Sequence, residues 1–171
     1  LLPPRTAMTA AKTNAEKALR LDETLAQAHV VLGYVKDIYE WDHDGARQEY
    51  ERALALAPNL AAAHEAYAGC LSRAKRFEEA RRAYKRAWQL DPLSPVSNDS
   101  LAAVEFLARD YPKALELSQA NAVRFPEFIV MHLRLAWVCE QLGKYEESMS
   151  EMAKARSIDD GPDFIGRHAH I

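Results

Sequence analysis

Apolar side chains recur every three or four residues along most of the chain, and short polar turns interrupt them. Ala46, Tyr50 and Ala53 show the pattern, since spacings of four and three place all three on one helix face. Pro58 follows this segment, and its ring prevents the helix from continuing. The pattern predicts alternating first and second helices. The first helices are predicted at 26–40, 60–73, 95–108 and 128–141, and the second helices at 5–21, 44–56, 77–90, 111–124 and 145–158.

The helical pattern repeats with a period of 34 residues, which separates Pro58, Pro92 and Pro126. If these prolines occupy position 32 of a unit, the chain contains four full repeats. We predict the repeats at 26–60, 61–94, 95–128 and 129–162, with half a repeat at 5–25 and the start of a further helix within 163–171. The first repeat holds one extra residue, which we place in the turn between its helices. We expect residues 1–171 to form a single domain.

Small residues occupy three fixed positions of the repeat, which allows two helices to pack closely. Position 8 holds Gly33, Ala68, Ala102 and Ala136; position 20 holds Ala46, Ala80, Ala114 and Ser148; position 27 holds Ala53, Ala87, Asn121 and Ala155. This pattern resembles the tetratricopeptide repeat, a helix–turn–helix unit of 34 residues. The resemblance implies an all-α fold, a right-handed superhelical solenoid of antiparallel helix pairs. Ser118 and Asn121 depart from the pattern, so we expect repeat three to be the least tightly packed.

Tetratricopeptide arrays bind an extended peptide or a helix in a concave groove lined by their first helices. The resemblance carries this role to Val30, Tyr34, Asp37, Glu65, Asp99, Phe106, Leu133, Trp137 and Glu140. Aromatic anchors dominate interface energies, and the acidic residues favour a basic ligand. We therefore expect an apolar groove with an acidic rim that binds a basic or apolar peptide of a partner protein. The alternative is that Phe106 or Trp137 packs against a neighbouring helix, or that a terminal helix fills the groove.

Histidine recurs at position 4 of three repeats, as His29, His64 and His132. Equivalent positions of stacked helices lie on the order of 10 Å apart, whereas metal ligands converge at about 2 Å from one ion. We therefore interpret the three as packing residues. In the turn of repeat one, we expect Asp44 to cap the following helix and Trp41 to fold over the turn.

Composition and missing motifs exclude several classes of function. The net charge of −3 argues against nucleic-acid binding, and no apolar run is long enough to span a membrane. Cys70 and Cys139 stand far apart within apolar helical patterns, so we expect two buried thiols. We find no phosphate-binding loop, catalytic motif or metal motif, and we expect neither enzymatic activity nor a cofactor.

We expect a cytoplasmic protein-interaction module. Its turn sequences resemble tetratricopeptide regions of larger bacterial regulatory proteins. The chain lacks an initiator methionine, which favours a piece of such a protein. Homo-oligomerisation through exposed ends of the helix stack is the alternative function.

Overall fold

A computed structural model describes residues 4–159 and 161, and every regular element in that part of the chain is helical. The helices are α1 (Pro4–Leu21), α2 (Ala26–Tyr34), α3 (His43–Leu56), α4 (Ala61–Arg73), α5 (Phe77–Leu90), α6 (Pro95–Leu107), α7 (Tyr111–Arg124), α8 (Ile129–Gln141) and α9 (Tyr145–Ile158), with a π-helical segment, Val35–Glu40, after α2. The predicted all-α class is confirmed. The further helix expected within 163–171 lies outside the described residues.

The chain divides into two compact units, with the boundary between Pro92 and Leu93. The first unit contains α1 to α5, and the second contains α6 to α9. Each helix begins and ends within one residue of its predicted bounds, except that the first helix of repeat one changes from α to π geometry at Val35. The assignment of residues 1–171 to a single domain stays a prediction.

The π-helical segment is where repeat one departs from regular geometry. A π-helix bonds each N–H to the carbonyl five residues back, so its turns are wider than those of an α-helix. We attribute the wider turn to the extra residue of this repeat, which the sequence pattern had placed in the turn between the helices. The segment ends at Trp41, whose φ of 57° lies in the left-handed region.

The core of the first unit is built on small residues at the repeat positions. Ala46 and Ala53 of α3 are fully buried, and so are Ala80 and Ala87 of α5. Tyr50 is the largest fully buried side chain, and its ring lies so close to Gly33 that a Cβ atom there would stand 2.5 Å from Cε1 of the ring. Glycine at this position therefore makes room for the tyrosine.

The second unit uses the same small positions but has polar groups in repeat three. Asn121 is buried, and its side-chain amide donates to the backbone oxygen of Asn98 at 2.9 Å. The hydroxyl of Ser118 is buried without a hydrogen-bond partner. A buried amide with a partner is satisfied, whereas a buried hydroxyl without one costs stability. The expectation that repeat three is the least tightly packed stays a prediction.

Side-chain caps define the starts of three helices, one in the first unit and two in the second. Ser94 caps α6 and Asp110 caps α7. The cap of α3 is Asp42, whose carboxylate accepts from the backbone N–H of Gly45 at 2.9 Å. The predicted cap, Asp44, is wrong because α3 begins one residue earlier than expected, which places Asp44 inside the first turn.

The interpretation of Trp41 is also wrong. Its side chain is 77% exposed, and its ring makes an edge contact with the His43 ring, with the ring centroids 6.2 Å apart. The left-handed backbone at Trp41 directs the chain into α3 without folding the indole over the turn.

Candidate functional site

The first-helix face of the first unit carries four of the predicted groove residues. Tyr34 is exposed, and Val30 and Glu65 are half-buried. Asp37 is different, because its carboxylate has no exposed surface. Three of the four therefore remain within reach of a ligand, and the fourth does not.

Asp37 lies on the π-helical segment and is held by the side chains of Arg73 and His43. Nε of Arg73, on α4, donates to Oδ1 at 3.3 Å, and a terminal nitrogen of the same guanidinium donates to Oδ2. Nδ1 of His43 lies 2.9 Å from Oδ1. Burial tends to lower the pKa of Arg73, but the hydrogen bond and charge of Asp37 outweigh that effect and raise it. The carboxylate expected at the rim is thus neutralised within the fold.

The second unit repeats this arrangement with another pair of residues. Asp99 of α6 is buried, and Arg134 of α8 binds it with two parallel bonds, Nε to Oδ1 at 3.1 Å and a terminal nitrogen to Oδ2 at 3.0 Å. Both pairs join first helices of consecutive repeats, and in both the arginine stands one position further along its repeat than the aspartate. The predicted acidic rim therefore loses Asp99 as well as Asp37.

Two predicted aromatic anchors lie against the Arg134 guanidinium. Its central carbon is 6.0 Å from the ring centroid of Phe106 and 5.5 Å from that of Trp137. Both rings are half-buried, and such cation–π contacts stabilise a guanidinium. Leu133 is buried in a cluster with Ala155 and Trp137. Glu140 is exposed near the end of α8.

The nine predicted residues thus fall into an accessible set and a buried set. The accessible or half-buried residues are Val30, Tyr34, Glu65, Phe106, Trp137 and Glu140, and the buried ones are Asp37, Asp99 and Leu133. Sequence reasoning missed Arg73 and Arg134 as partners of the aspartates. The available signal was an aspartate followed in the next repeat, one position further on, by an arginine.

The three histidines at position 4 hold the turns between repeats. Nε2 of His64 lies 2.9 Å from the carbonyl oxygen of Pro58, and Nε2 of His132 lies 2.9 Å from that of Pro126. His29 makes the equivalent, longer contact of 3.4 Å with the carbonyl oxygen of Glu23. Each histidine therefore binds the backbone six residues before it, and the interpretation of the three as packing residues stays a prediction.

Two of these histidines also bind a glutamate on the second helix of their own repeat. Nδ1 of His29 lies 2.8 Å from Glu49, and Nδ1 of His132 lies 2.7 Å from Glu151. Burial raises the pKa of Glu49, but hydrogen bonds from Lys36 and His29 outweigh burial and lower it. Burial also raises the pKa of Glu151, but hydrogen bonds from His132 and Lys154 outweigh burial and lower it.

Acid is expected to destabilise the protein through these two carboxylates. Their pKa values are lower in the folded than in the unfolded chain, so their stabilisation is complete above the ordinary value of about 4.5 and is lost as pH falls through the folded value. Midpoints of thermal unfolding between about pH 7 and pH 3 measure this loss. Glu49→Gln/Glu151→Gln is expected to have a lower midpoint at pH 7 and a smaller fall with acid. Glu78→Gln/Glu127→Gln, at exposed sites, serves as the control, and identical profiles for the wild type and the first variant would contradict the assignment.

Both cysteines are free and buried, as expected. Burial raises the pKa of the Cys70 thiol and of the Cys139 thiol, so neither is activated as a nucleophile. Within residues 4–159, no group of three His, Cys, Asp or Glu side chains is arranged to hold a metal ion. In the same residues, no helix has the length and apolar character required to cross a bilayer.

Family models of the tetratricopeptide repeat match residues 39–103 and 130–161, which together make up more than half of the chain. The chain belongs to the tetratricopeptide repeat family. Its helix pairs, its small core positions and the matched ranges agree, so the predicted family and the all-α helical solenoid class are confirmed. Membership of the tetratricopeptide repeat family makes the chain a protein–protein interaction module, a class of scaffold that is generally non-enzymatic.

Several solved structures share the tetratricopeptide fold. PilF of Pseudomonas aeruginosa is 26% identical, with a TM-score of 0.76, and the match covers 90% of this chain and 69% of that one. MamA is 19% identical, with a TM-score of 0.71 and 91% of each chain covered. YrrB, described as a tetratricopeptide protein with an unusual peptide-binding site, is 17% identical, with a TM-score of 0.67, and the match covers 97% and 85%. No curated protein sequence matches the chain.

Proposed function

We propose that the chain binds a peptide or helix of a partner protein on the first-helix faces of its repeats. The observation that carries this proposal is the exposure of large apolar side chains at the groove positions of both units. The family's groove positions include 2, 9 and 13 of each repeat. Tyr34 and Ile38, at positions 9 and 13, are exposed in the first unit, and Val96 and Leu107, at positions 2 and 13, are exposed in the second. Exposed apolar groups on the same helix of a folded scaffold are typical of an interaction surface.

The arginine pairs alter the chemistry expected of the ligand. With Asp37 and Asp99 already bound by arginine, Glu140 is the exposed carboxylate among the predicted groove residues. Apolar contacts then contribute most of the affinity, and a basic residue of the ligand adds to it opposite Glu140. At the level of the fold, the peptide-binding site named for YrrB supports a peptide as the ligand.

A library of displayed random peptides tests the proposal. Selected peptides are synthesised with a fluorescent label, and their dissociation constants are measured by anisotropy for the wild type, Tyr34→Ala and Leu107→Ser. Each substitution removes an exposed anchor and is expected to weaken binding about tenfold or more for peptides on its own unit. Trp137→Ala is expected to weaken second-unit peptides similarly, and its thermal unfolding is measured in parallel.

Gln89→Ala, at an exposed position of α5, is the matched control and is expected to bind like the wild type. The proposal fails if no peptide is selected, or if all the variants bind the selected peptides equally well. Sedimentation velocity over a range of concentrations tests the alternative of self-assembly, which a concentration-independent monomer would exclude.

We further propose that the module works in the cytoplasm within a larger bacterial regulatory protein. The resemblance of its turn sequences to the tetratricopeptide regions of such proteins supports this context. The complete open reading frame tests it, because a DNA-binding or kinase domain in the same frame is the expected finding.

A further inference from the structure

A cleft of about 620 Å³ lies among the helices of the second unit, away from the proposed peptide site. Helices α7 and α9 form its walls and α8 forms its floor. Leu135 and Cys139 line the floor, and Val123, which is 83% exposed, lines the α7 wall. None of the groove residues named above lines this α7–α9 cleft, so it is a separate surface.

Carboxylates dominate the α9 wall of the α7–α9 cleft. Glu146, Glu147 and Glu151 line it, together with one cation, Lys154. Lys154 is bound to Glu151 at 2.6 Å, and Glu147 is bound to Lys144 at 2.9 Å. The lining therefore combines an apolar floor with a net negative wall.

The cleft continues along α9 toward the C-terminal end of that helix. A second cavity of about 580 Å³ shares Ala122, His132 and Lys154 with the first and extends to Pro126 and Ile158. From Glu146 to Ile158 the helix rises about 18 Å at 1.5 Å per residue. That length suits a short peptide segment better than a small molecule.

The equivalent place in the first unit has the opposite charge. A smaller cleft of about 300 Å³ lies there over α4, with Tyr67 and Leu71 at the repeat positions that Leu135 and Cys139 occupy in the second unit. Arg82 and Arg86 line it, with Glu79 as its one carboxylate. The fold therefore provides the cleft in both units, and of these two clefts the one in the second unit has the acidic wall.

We propose that the α7–α9 cleft binds a segment of a partner protein that presents an apolar side chain flanked by lysine or arginine. The apolar side chain packs on Leu135 and Val123, and the basic groups meet Glu146 and Glu147. Charge complementarity selects this partner, since an acidic segment would be repelled by the same wall. The assignment goes beyond the peptide site on the first-helix faces and uses none of its residues.

A designed pair of peptides tests the proposal. One labelled peptide of 14 residues carries leucine on one helical face and lysine on the other, and its counterpart carries glutamate in place of lysine. Anisotropy in low salt is expected to show binding of the lysine peptide and none of the glutamate peptide. Glu146→Gln/Glu147→Gln is expected to weaken binding at least fivefold, with a smaller dependence on salt. Val123→Ser is expected to weaken it about threefold with the salt dependence unchanged.

The control is Glu78→Gln/Glu79→Gln, which makes the same change at the same repeat positions in the first turn of α5. Glu79 is bound to Arg76 three residues before it, as Glu147 is to Lys144, and the control also loses the ion pair of Glu78 with Arg81. The control and Tyr34→Ala are expected to bind the lysine peptide like the wild type.

Three results would overturn the proposal. They are no binding of the lysine peptide, equal binding by the wild type and Glu146→Gln/Glu147→Gln, and equal weakening by the control. Self-association of the wild type in sedimentation velocity, lost in Glu146→Gln/Glu147→Gln alone, would instead make a second copy of this chain the occupant. The proposed peptide site and the α7–α9 cleft share no residue. The random-peptide test of the first can therefore fail while the lysine-peptide test of the second succeeds, and the reverse.

Discussion

Arg134→Met is expected to lower the free energy of unfolding by about 3–5 kcal/mol, the typical cost of leaving one partner of a buried ion pair uncompensated. Asp99 accepts two bonds from Arg134, and the side chains of both are almost completely buried. Removal of the guanidinium leaves the carboxylate without its cation. It also removes the group that lies against Phe106 and Trp137.

Urea unfolding followed by circular dichroism measures the effect. Arg52→Met, at an exposed position of α3, is the control and is expected to change stability by less than about 0.5 kcal/mol. The double variant Asp99→Leu/Arg134→Met is expected to recover most of the loss, because no charge is then buried alone. Equal instability of the single and double variants would show that packing around Arg134, and not the ion pair, is responsible.

Tyr50→Ala is expected to cost about 3–5 kcal/mol, since it empties the largest buried side-chain volume of the first unit. The cost is coupled to Gly33, whose missing Cβ leaves room for the tyrosine ring. Gly33→Ala alone is expected to cost about 1–3 kcal/mol through overpacking. In the Tyr50→Ala background the same change is expected to stabilise the protein by about 0.5–1 kcal/mol, because alanine is the better helix former.

The four proteins of this double-mutant cycle are compared by urea unfolding. Ala55→Gly, at an exposed position of α3, gives the size of a glycine–alanine difference in a helix without packing. The interpretation would be abandoned if Gly33→Ala had the same effect with and without the Tyr50 ring.

The helices could be predicted from the sequence because the same residue types recur at fixed positions of each repeat. Ala46, Ala80 and Ala114 show where second helices pack, and prolines show where they end, so local rules were sufficient. The π-helical segment of repeat one could not be predicted, since an extra residue is accommodated either in a turn or in a widened helix. Which of these two arrangements has the lower free energy depends on tertiary contacts, and these form only in the folded chain.

The candidate site was harder to predict than the fold. Asp37 and Asp99 stand at groove positions of the family pattern, which describes where a residue lies on a helix and not which neighbour neutralises it. Their partners, Arg73 and Arg134, are 36 and 35 residues away, on the next first helix. The α7–α9 cleft does not follow from the family resemblance, because the groove positions of that pattern lie on first helices whereas the cleft is formed mainly by second helices.

The positions of the two aspartate–arginine pairs determine where the chain can be divided. A break between residues 60 and 61 separates Asp37 from Arg73, and a break between 128 and 129 separates Asp99 from Arg134. Either break leaves a carboxylate, which is buried in the intact fold, without its arginine partner. Division between 92 and 93 leaves both carboxylates with their arginines on the same fragment. The smallest fragment that keeps each of these buried aspartates with its arginine is therefore a pair of consecutive repeats. Excision, grafting or duplication of this chain is best planned in units of two repeats.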